Sequence, residues 1–294
     1  MKPRAKVQAY KILATLLELL PERVDVALAR RAALGVGMRS AARARLEANL
    51  SRVLGYPASP VDPDVLERFV RRGFARYGQY WAEGAKLPAL SHDTITRRFR
   101  IAEGLEYLED AFAQGRGVVI ALPHIGSWEW GGSYIASLGM PMTAVAEVLD
   151  PPELFDWFRA KREAIGIHVQ GLDGQASARL LGVIKDGGVV GLLCDRDIQG
   201  GGVDVEFFGE RVTLPGGPAT LALRTGAVLL AAACYMGPGE DHFAVVTPPL
   251  PAQREGRLRE DVSRVTQLVA HELEDLIRRA PEQWHVLEDR FETR

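Results

Sequence analysis

His124, Glu129, Asp195, Arg196 and Asp197 are the residues of this chain whose types and spacing could do chemistry. Histidine is the side chain whose ordinary titration lies nearest neutrality, so a held imidazole can take the proton of a hydroxyl. It needs an acid to orient it. Five positions separate His124 from Glu129, which on one continuous helix would set them about 140° apart. They can meet only if His124 stands in a turn and Glu129 in the first turn of the following helix, where a carboxylate also suits the positive end of the helix dipole. Asp195 is a second candidate, because Asp195-Arg196-Asp197 puts three charges at the end of an apolar run, where they need partners or water. The orienting acid is therefore Glu129 by spacing or Asp195 from the second charged terminus. Asp195-Arg196-Asp197 also matches the D-x-D pattern with which a metal can hold a nucleotide-sugar diphosphate.

Two strands must position these groups. Gly117-Val-Val-Ile-Ala-Leu122 is apolar and β-branched without alternation, which suits a strand buried on both faces of a parallel sheet. Pro123 cannot donate to a ladder and biases Leu122 to an extended shape, so the strand ends there and leaves His124 at its carboxyl edge. Gly188-Val-Val-Gly-Leu-Leu-Cys-Asp195 repeats the design and delivers its acid to the same edge, where open α/β sheets place their sites. No Ser or Cys sits in a G-x-S-x-G setting, which favours direct attack by a hydroxyl over a covalent enzyme intermediate.

Around these strands the chain alternates strand and helix with brief connections. Helices are expected over 103–114, 127–138, 151–165, 176–185, 218–225 and 258–279, with strands over 142–148, 167–169, 203–208, 228–235 and 243–246. The fold class is α/β: a central, mostly parallel sheet flanked by helices, with an N-terminal helical extension. The extension is assigned to 1–60 as an amphipathic, membrane-facing region with helices over 5–20, 24–34 and 39–54, and the α/β core to 61–294 after a Pro-rich break at 59–63. A helix over 64–81 carries an aromatic stripe, Phe69, Phe74, Tyr77 and Trp81, that can pack a core or wall an apolar tunnel.

With 294 residues, 47% of them apolar, the chain can bury one large core. A net charge of −2 argues against a nucleic-acid partner. The distribution is more telling: through Arg52, eleven Lys and Arg face four acids, a local +7 that leaves −9 for the rest. That basic region is either a solvated face or a surface for anionic headgroups, each basic residue near a membrane adding about 1 kcal/mol. Cys194 and Cys234 lie inside apolar runs, as buried thiols do, and receive no chemistry. No run reaches the roughly 18 uninterrupted apolar residues of a spanning helix, and no signal peptide is evident, so a cytoplasmic protein, free or lying on a membrane, is expected.

The pattern His124-x4-Glu129 after a buried strand resembles the signature of the glycerophospholipid and lysophospholipid acyltransferases. It is followed in order by Ala146-Glu-Val-Leu149, Phe158-Arg-Ala-Lys-Arg-Glu-Ala-Ile-Gly166, Leu192-Leu-Cys-Asp-Arg-Asp197, Val205-Glu-Phe-Phe-Gly-Glu210, Leu214-Pro-Gly-Gly-Pro-Ala219 and Pro281-Glu-Gln-Trp-His285. The ordered set, covering about residues 46–285, is similar to the bacterial lauroyl/myristoyl acyltransferases of lipid A synthesis, and more closely to the actinobacterial phosphatidylinositol mannoside acyltransferases. The resemblance implies transfer of a long-chain fatty acyl group from acyl-CoA, or an acyl carrier protein, to a sugar hydroxyl of a glycophospholipid. It implies a peripheral enzyme at the cytoplasmic face of an anionic membrane, with no metal and no cofactor beyond the co-substrate. It makes His124 the general base and maps the charge-relay acid to Asp195, with Glu129 second. Arg162 matches an arginine that contacts the reacting groups, and Glu147 a strand-end glutamate suited to acceptor hydroxyls; Arg196 can hold the acceptor phosphodiester. The chain departs from the mannoside enzymes in carrying Glu129 where Asp is common, Asp195 where some carry Glu, and a short N-terminus. The alternatives are a lipid A-type or other lysolipid acyltransferase, a metal-dependent D-x-D glycosyltransferase, and a lipid-binding protein without catalysis.

Overall fold

A seven-stranded sheet carries the two apolar runs side by side. In this computed structural model, which describes residues 8, 15, 20–57, 60–198, 200–288 and 291, the sheet order is β1 (Phe99–Glu103), β9 (His242–Val246), β8 (Val228–Met236), β2 (Val118–Leu122), β5 (Val189–Leu193), β3 (Met142–Ala146) and β4 (His168–Gly171). Every neighbouring pair is parallel except β8 with β9. A separate antiparallel ribbon joins β6 (Val203–Phe207) to β7 (Glu210–Leu214). The central strand β2 is buried along its whole length, the pattern a parallel strand covered on both faces demands.

Alternate residues of β2 feed two cores. Val119 and Ala121 enter one with Leu180 and Ile184 of α8 (Ala176–Lys185), Leu221 of α9 (Gly217–Thr225) and Val269 and Leu273 of α10 (Leu258–Arg278). Val118, Ile120 and Leu122 enter the other with Ile95 of α4 (His92–Arg98), Leu108 of α5 (Leu105–Ala113), Trp130 and Ile135 of α6 (Trp128–Ser137), and Phe155 of α7 (Pro152–Glu163). Gly131 and Gly132 let α6 lie close on the sheet: a Cβ there would come within 2.4 Å of Cys234 Sγ and 2.6 Å of Ile167 Cδ1.

The helices before the sheet build a third cluster from Leu46 and Leu50 of α2 (Ala42–Gly55) and Val70 and Phe74 of α3 (Pro63–Lys86), with Leu34 of α1 (Glu22–Gly37) and Leu287 packed against it. Asp62 starts α3 by accepting from the N–H groups of Asp64 and Val65, with Pro63 at the first helical position, and the helix continues five residues beyond the expected end at 81. A buried ion pair, Lys86 Nζ to Asp25 Oδ2 at 2.8 Å, fastens α3 to α1. The helix expected over 5–20 falls almost wholly outside the described residues, as does the start of the break at 59–63.

Two strands and one short helix were not expected. β1 and α4 occupy a polar stretch, and the helix expected from 103 begins only at Leu105, because Gly104 takes φ 78° between strand and helix. Residues 210–214 form β7, where a turn over 208–211 leading to a helix opening at 214–218 is expected, since folding back on β6 buries Val212 and Leu214 while Glu210 and Arg211 stay exposed.

Candidate active site

The register of β2 on β5 decides which acid reaches the histidine. Leu122 pairs with Leu193, and the ladder is extended by Cys194 N–H donating to the Leu122 carbonyl at 2.9 Å. His124 and Asp195 each lie two residues beyond that last pair and face one another across it. The His124 backbone N–H donates to Asp195 Oδ2 at 2.9 Å, and its ring Nδ1 makes a short hydrogen bond to Oδ1. Asp195 is fully buried, and its Oδ2 also accepts from the indole N–H of Trp284 at 2.7 Å. Burial alone would raise the Asp195 carboxyl, but the charge and hydrogen bond of His124 and the donation from Trp284 outweigh it and hold the group well below the usual carboxylate range.

The tautomer follows from Arg196. Its Nη2 stands 3.3 Å from His124 Nε2, and a guanidinium can only donate, so Nε2 accepts and the ring proton sits on Nδ1 facing Asp195. The imidazole therefore presents a lone pair at Nε2, as a general base must. A second nitrogen of Arg196 bonds Glu288 Oε1 at 3.1 Å, so the guanidinium is drawn between the base and the C-terminal segment rather than pairing with Asp197. Asp197 instead accepts from the N–H groups of Gly200 and Gly202, at 2.9 and 2.8 Å. A D-x-D metal site needs both carboxylates turned to one ion; here Asp195 is spent on His124 and Trp284, and Asp197 on its own loop.

Glu129 is elsewhere. It stands in the first turn of α6, as its spacing predicts, but its Oε1 accepts from the Tyr80 hydroxyl at 3.0 Å and from Arg162 Nη2 at 3.2 Å, not from His124. Burial first, and Glu129 second, push the Tyr80 phenol up. Burial would lower Arg162, yet Glu129 and Tyr80 beside it hold the guanidinium above its ordinary value. Arg162 also lies over the Trp128 ring, 5.0 Å from its centroid. Glu147 is exposed beyond β3, and among the described residues no hydrogen bond or ion pair joins it to these groups.

Glu129 and Arg162, with Tyr80 and Lys161, form the polar part of a cavity of about 360 Å³ between α3 and α7, otherwise lined by apolar surface that includes Tyr77, Trp81, Leu87, Phe158 and Ile165. The aromatic stripe of α3 is thereby divided between two duties: Phe74 fills the helical core, while Tyr77 and Trp81 wall the cavity. His285 joins cavity to dyad. Its ring packs against Tyr80 and Tyr77, with centroids 5.1 and 5.8 Å apart; its backbone N–H donates to the His124 carbonyl at 2.7 Å, and its Nε2 donates to the Gly126 carbonyl at 3.1 Å. Enclosure lowers the His285 imidazole to about 3, so it stays neutral at ordinary pH. Gly126 allows this turn, with φ 55° and a position where a Cβ would fall 1.9 Å from the Cys234 carbonyl oxygen.

Trp284, His285 and Tyr80 were not among the candidates read from the sequence. Trp284 and His285 stand in the motif Pro281-Glu-Gln-Trp-His285, which was visible, but nothing local says that an indole 89 positions away meets Asp195. Among the described residues no group of three or more His, Cys, Asp or Glu is placed to hold a metal ion, and no helix is long and apolar enough to cross a membrane.

The chain is 34% identical to a phosphatidylinositol mannoside acyltransferase of Mycolicibacterium smegmatis over 264 residues, 87% of this chain and 83% of that protein. It is 36% identical to the phosphatidylinositol mannoside acyltransferase of Mycobacterium tuberculosis H37Rv over 251 residues, 84% of this chain and 76% of the relative. A lipid A biosynthesis acyltransferase of Haemophilus influenzae matches at 26% over 190 residues, 62% of this chain and 55% of that enzyme. The family model for bacterial lipid A biosynthesis acyltransferases matches residues 2–293. With nearly its whole length accounted for by that model, the chain belongs to the bacterial lipid A biosynthesis acyltransferase family and is an acyltransferase of that type.

Proposed function

We propose that the protein moves a long-chain fatty acyl group from acyl-CoA to a sugar hydroxyl of a glycophospholipid of the phosphatidylinositol mannoside type, with His124 as general base. The observation that carries the reading is the juxtaposition of a part-exposed His124, paired with the buried Asp195, and an apolar cavity that ends at Glu129 and Arg162. The cavity suits an alkyl chain, and Arg162 suits the polar thioester end. The acceptor hydroxyl approaches Nε2 of His124 and displaces the Arg196 contact. As its oxygen attacks the thioester carbonyl, its proton passes to Nε2, and Asp195 stabilises the imidazolium through Nδ1. Collapse of the tetrahedral intermediate breaks the carbon–sulfur bond, and the imidazolium returns the proton to the departing thiolate. Arg196, freed from Nε2, pairs with the acceptor phosphodiester, and Glu147 is assigned to sugar hydroxyls on the open side.

The same reading places the enzyme peripherally on the cytoplasmic membrane face. Leu20, Val24 and Leu28 recur every four residues and are exposed, Trp81 is exposed beside the cavity, and the solvent side of α1 also carries Arg23, Arg30 and Arg31. The test is mass spectrometry of products after offering the purified protein palmitoyl-CoA or palmitoyl acyl carrier protein with phosphatidylinositol mannosides, a lipid A precursor, lysophosphatidate and glycerol 3-phosphate. Acylation of the mannoside is expected; acylation of lysophosphatidate or glycerol 3-phosphate alone removes the glycolipid assignment and keeps the acyl transfer.

A further inference from the structure

Helix α3 carries three glycines, and two of them are accounted for by packing. A Cβ on Gly73 would come 3.0 Å from Leu46 Cδ2 and press on α2, and one on Gly78 would come 2.4 Å from the Ala29 carbonyl oxygen, so α1 could not lie where it does. The third, Gly84, is different. It stands in the last turn of the helix, where glycine is worse than alanine by up to about 1 kcal/mol, yet a Cβ there would meet nothing within 4 Å. The space it faces is the cavity, since Gly84 is among its lining residues. It lies one helical turn, about 6 Å along the axis, beyond Tyr80, whose hydroxyl marks the polar end at Glu129, and one turn before Leu87 and Pro88. A chain entering from Glu129 and Arg162 and running along α3 must pass this missing side chain.

We infer that Gly84 is a specificity-determining residue: its bare Cα keeps the cavity open past Tyr80 and so sets the length of acyl chain the enzyme accepts. The inference rests on the proposed acyl reading of the cavity. Any side chain at 84 points into the space a long chain occupies and leaves the part nearest Glu129 free. A shorter chain that ends before this position is unaffected, and discrimination in an apolar pocket of this kind amounts to about 10–200-fold per methylene.

The experiment compares wild type, Gly84→Ala and Gly84→Leu with butanoyl-, lauroyl- and palmitoyl-CoA on a phosphatidylinositol mannoside acceptor, and measures binding of the same three donors by calorimetry. In Gly84→Leu the ratio of palmitoyl to butanoyl kcat/KM and the corresponding binding ratio fall at least tenfold. Gly84→Ala raises the Tm, because the added Cβ meets no atom and helix propensity improves, and lowers the ratio at least twofold. An unchanged ratio in Gly84→Leu, or equal loss for all lengths at an unchanged Tm, overturns the inference. If Gly84→Leu shows no melting transition, the ratio in Gly84→Ala decides, and no change there overturns it. A wild type that neither binds nor uses any of the three donors defeats the acyl reading of the cavity itself, a result distinct from an unchanged ratio.

Discussion

Two histidine–carboxylate pairs lie within the same fold, and they differ in what is left of the imidazole. In one, His124 gives Nδ1 to the buried Asp195 and turns Nε2 toward the open side, its side chain 20% exposed. In the other, His242 Nε2 meets Glu83 Oε2 at 2.9 Å with both side chains at most 2% exposed, Nδ1 is buried without a hydrogen-bond partner among the described residues, and the ring stacks on Trp130 at 4.3 Å. Glu83 is engaged further, accepting from Gln79 at 2.7 Å and from the Ser127 hydroxyl at 3.3 Å, so the second pair ties α3, β9 and the start of α6 together. The chemical constituents are nearly the same. What separates a base from a tie is access of a substrate to the second nitrogen, and that is decided by where each pair falls on the sheet: His124 at the carboxyl ends of β2 and β5, His242 at the first residue of β9 beneath a helix.

The comparison can be broken most directly at the base. His124→Ala is expected to lower turnover by about 10² to 10⁴ with the Tm retained, and near-normal turnover by the folded variant would make the two pairs equivalent. The next largest effect separates the two acids. Asp195→Asn should lower kcat by about 10² or more, because the amide leaves the imidazole in the wrong tautomer, while Glu129→Gln acts mainly on donor KM through the cavity; steady-state kinetics on both variants checks the order, and the reverse order moves the orienting role to Glu129.

A smaller loss, about tenfold in kcat, is expected of Trp284→Phe, which keeps the ring and removes the donor to Asp195. Because that donor helps hold Asp195 low, its removal raises the carboxyl. An acid with a depressed pKa contributes stability above its ordinary value and loses it as pH falls through the folded value, so the acid limb of the stability profile, read as Tm against pH, moves to higher pH. An unshifted limb would reduce Trp284 to packing. The smallest effect on chemistry belongs to the second pair: His242→Phe should leave kcat per folded molecule within about twofold while costing about 1–3 kcal/mol of stability by stranding Glu83, as read by denaturant unfolding.

The sequence was most legible where one residue's neighbours dictate its state. Pro123 and the β-branched run before it end a strand and expose His124 at its edge, and the apolar run before Asp195 announces a second strand of the same kind. Partnership was less legible. The spacing of His124 and Glu129 is compatible with contact, yet the acid that meets His124 is 71 positions away, because strand register is a property of pairing and not of either strand alone. β7 was missed because Glu210 and Arg211 look like a turn until β6 is folded against them, and β1 because Phe99-Arg-Ile-Ala-Glu103 runs into the next helix with only Gly104 between. The aromatic stripe on α3 was seen as a whole, but its division between core and cavity depends on α2 and α7, which the stripe itself does not encode.

The segment at 281–288 gives the site an order in time. It follows every strand of the sheet in the chain, yet it supplies the indole that holds Asp195, the backbone N–H that holds the His124 carbonyl, the ring that joins dyad to cavity, and the carboxylate that steadies Arg196. Synthesis runs from the N-terminus, so β2 and β5 can pair and bring His124 to Asp195 before any of these partners has been made. At that stage the acid is still wet and the base unanchored. A chain interrupted between Val246 and Trp284 therefore has every strand of the sheet and lacks the completed site, and translation itself withholds the chemistry until the last partner arrives.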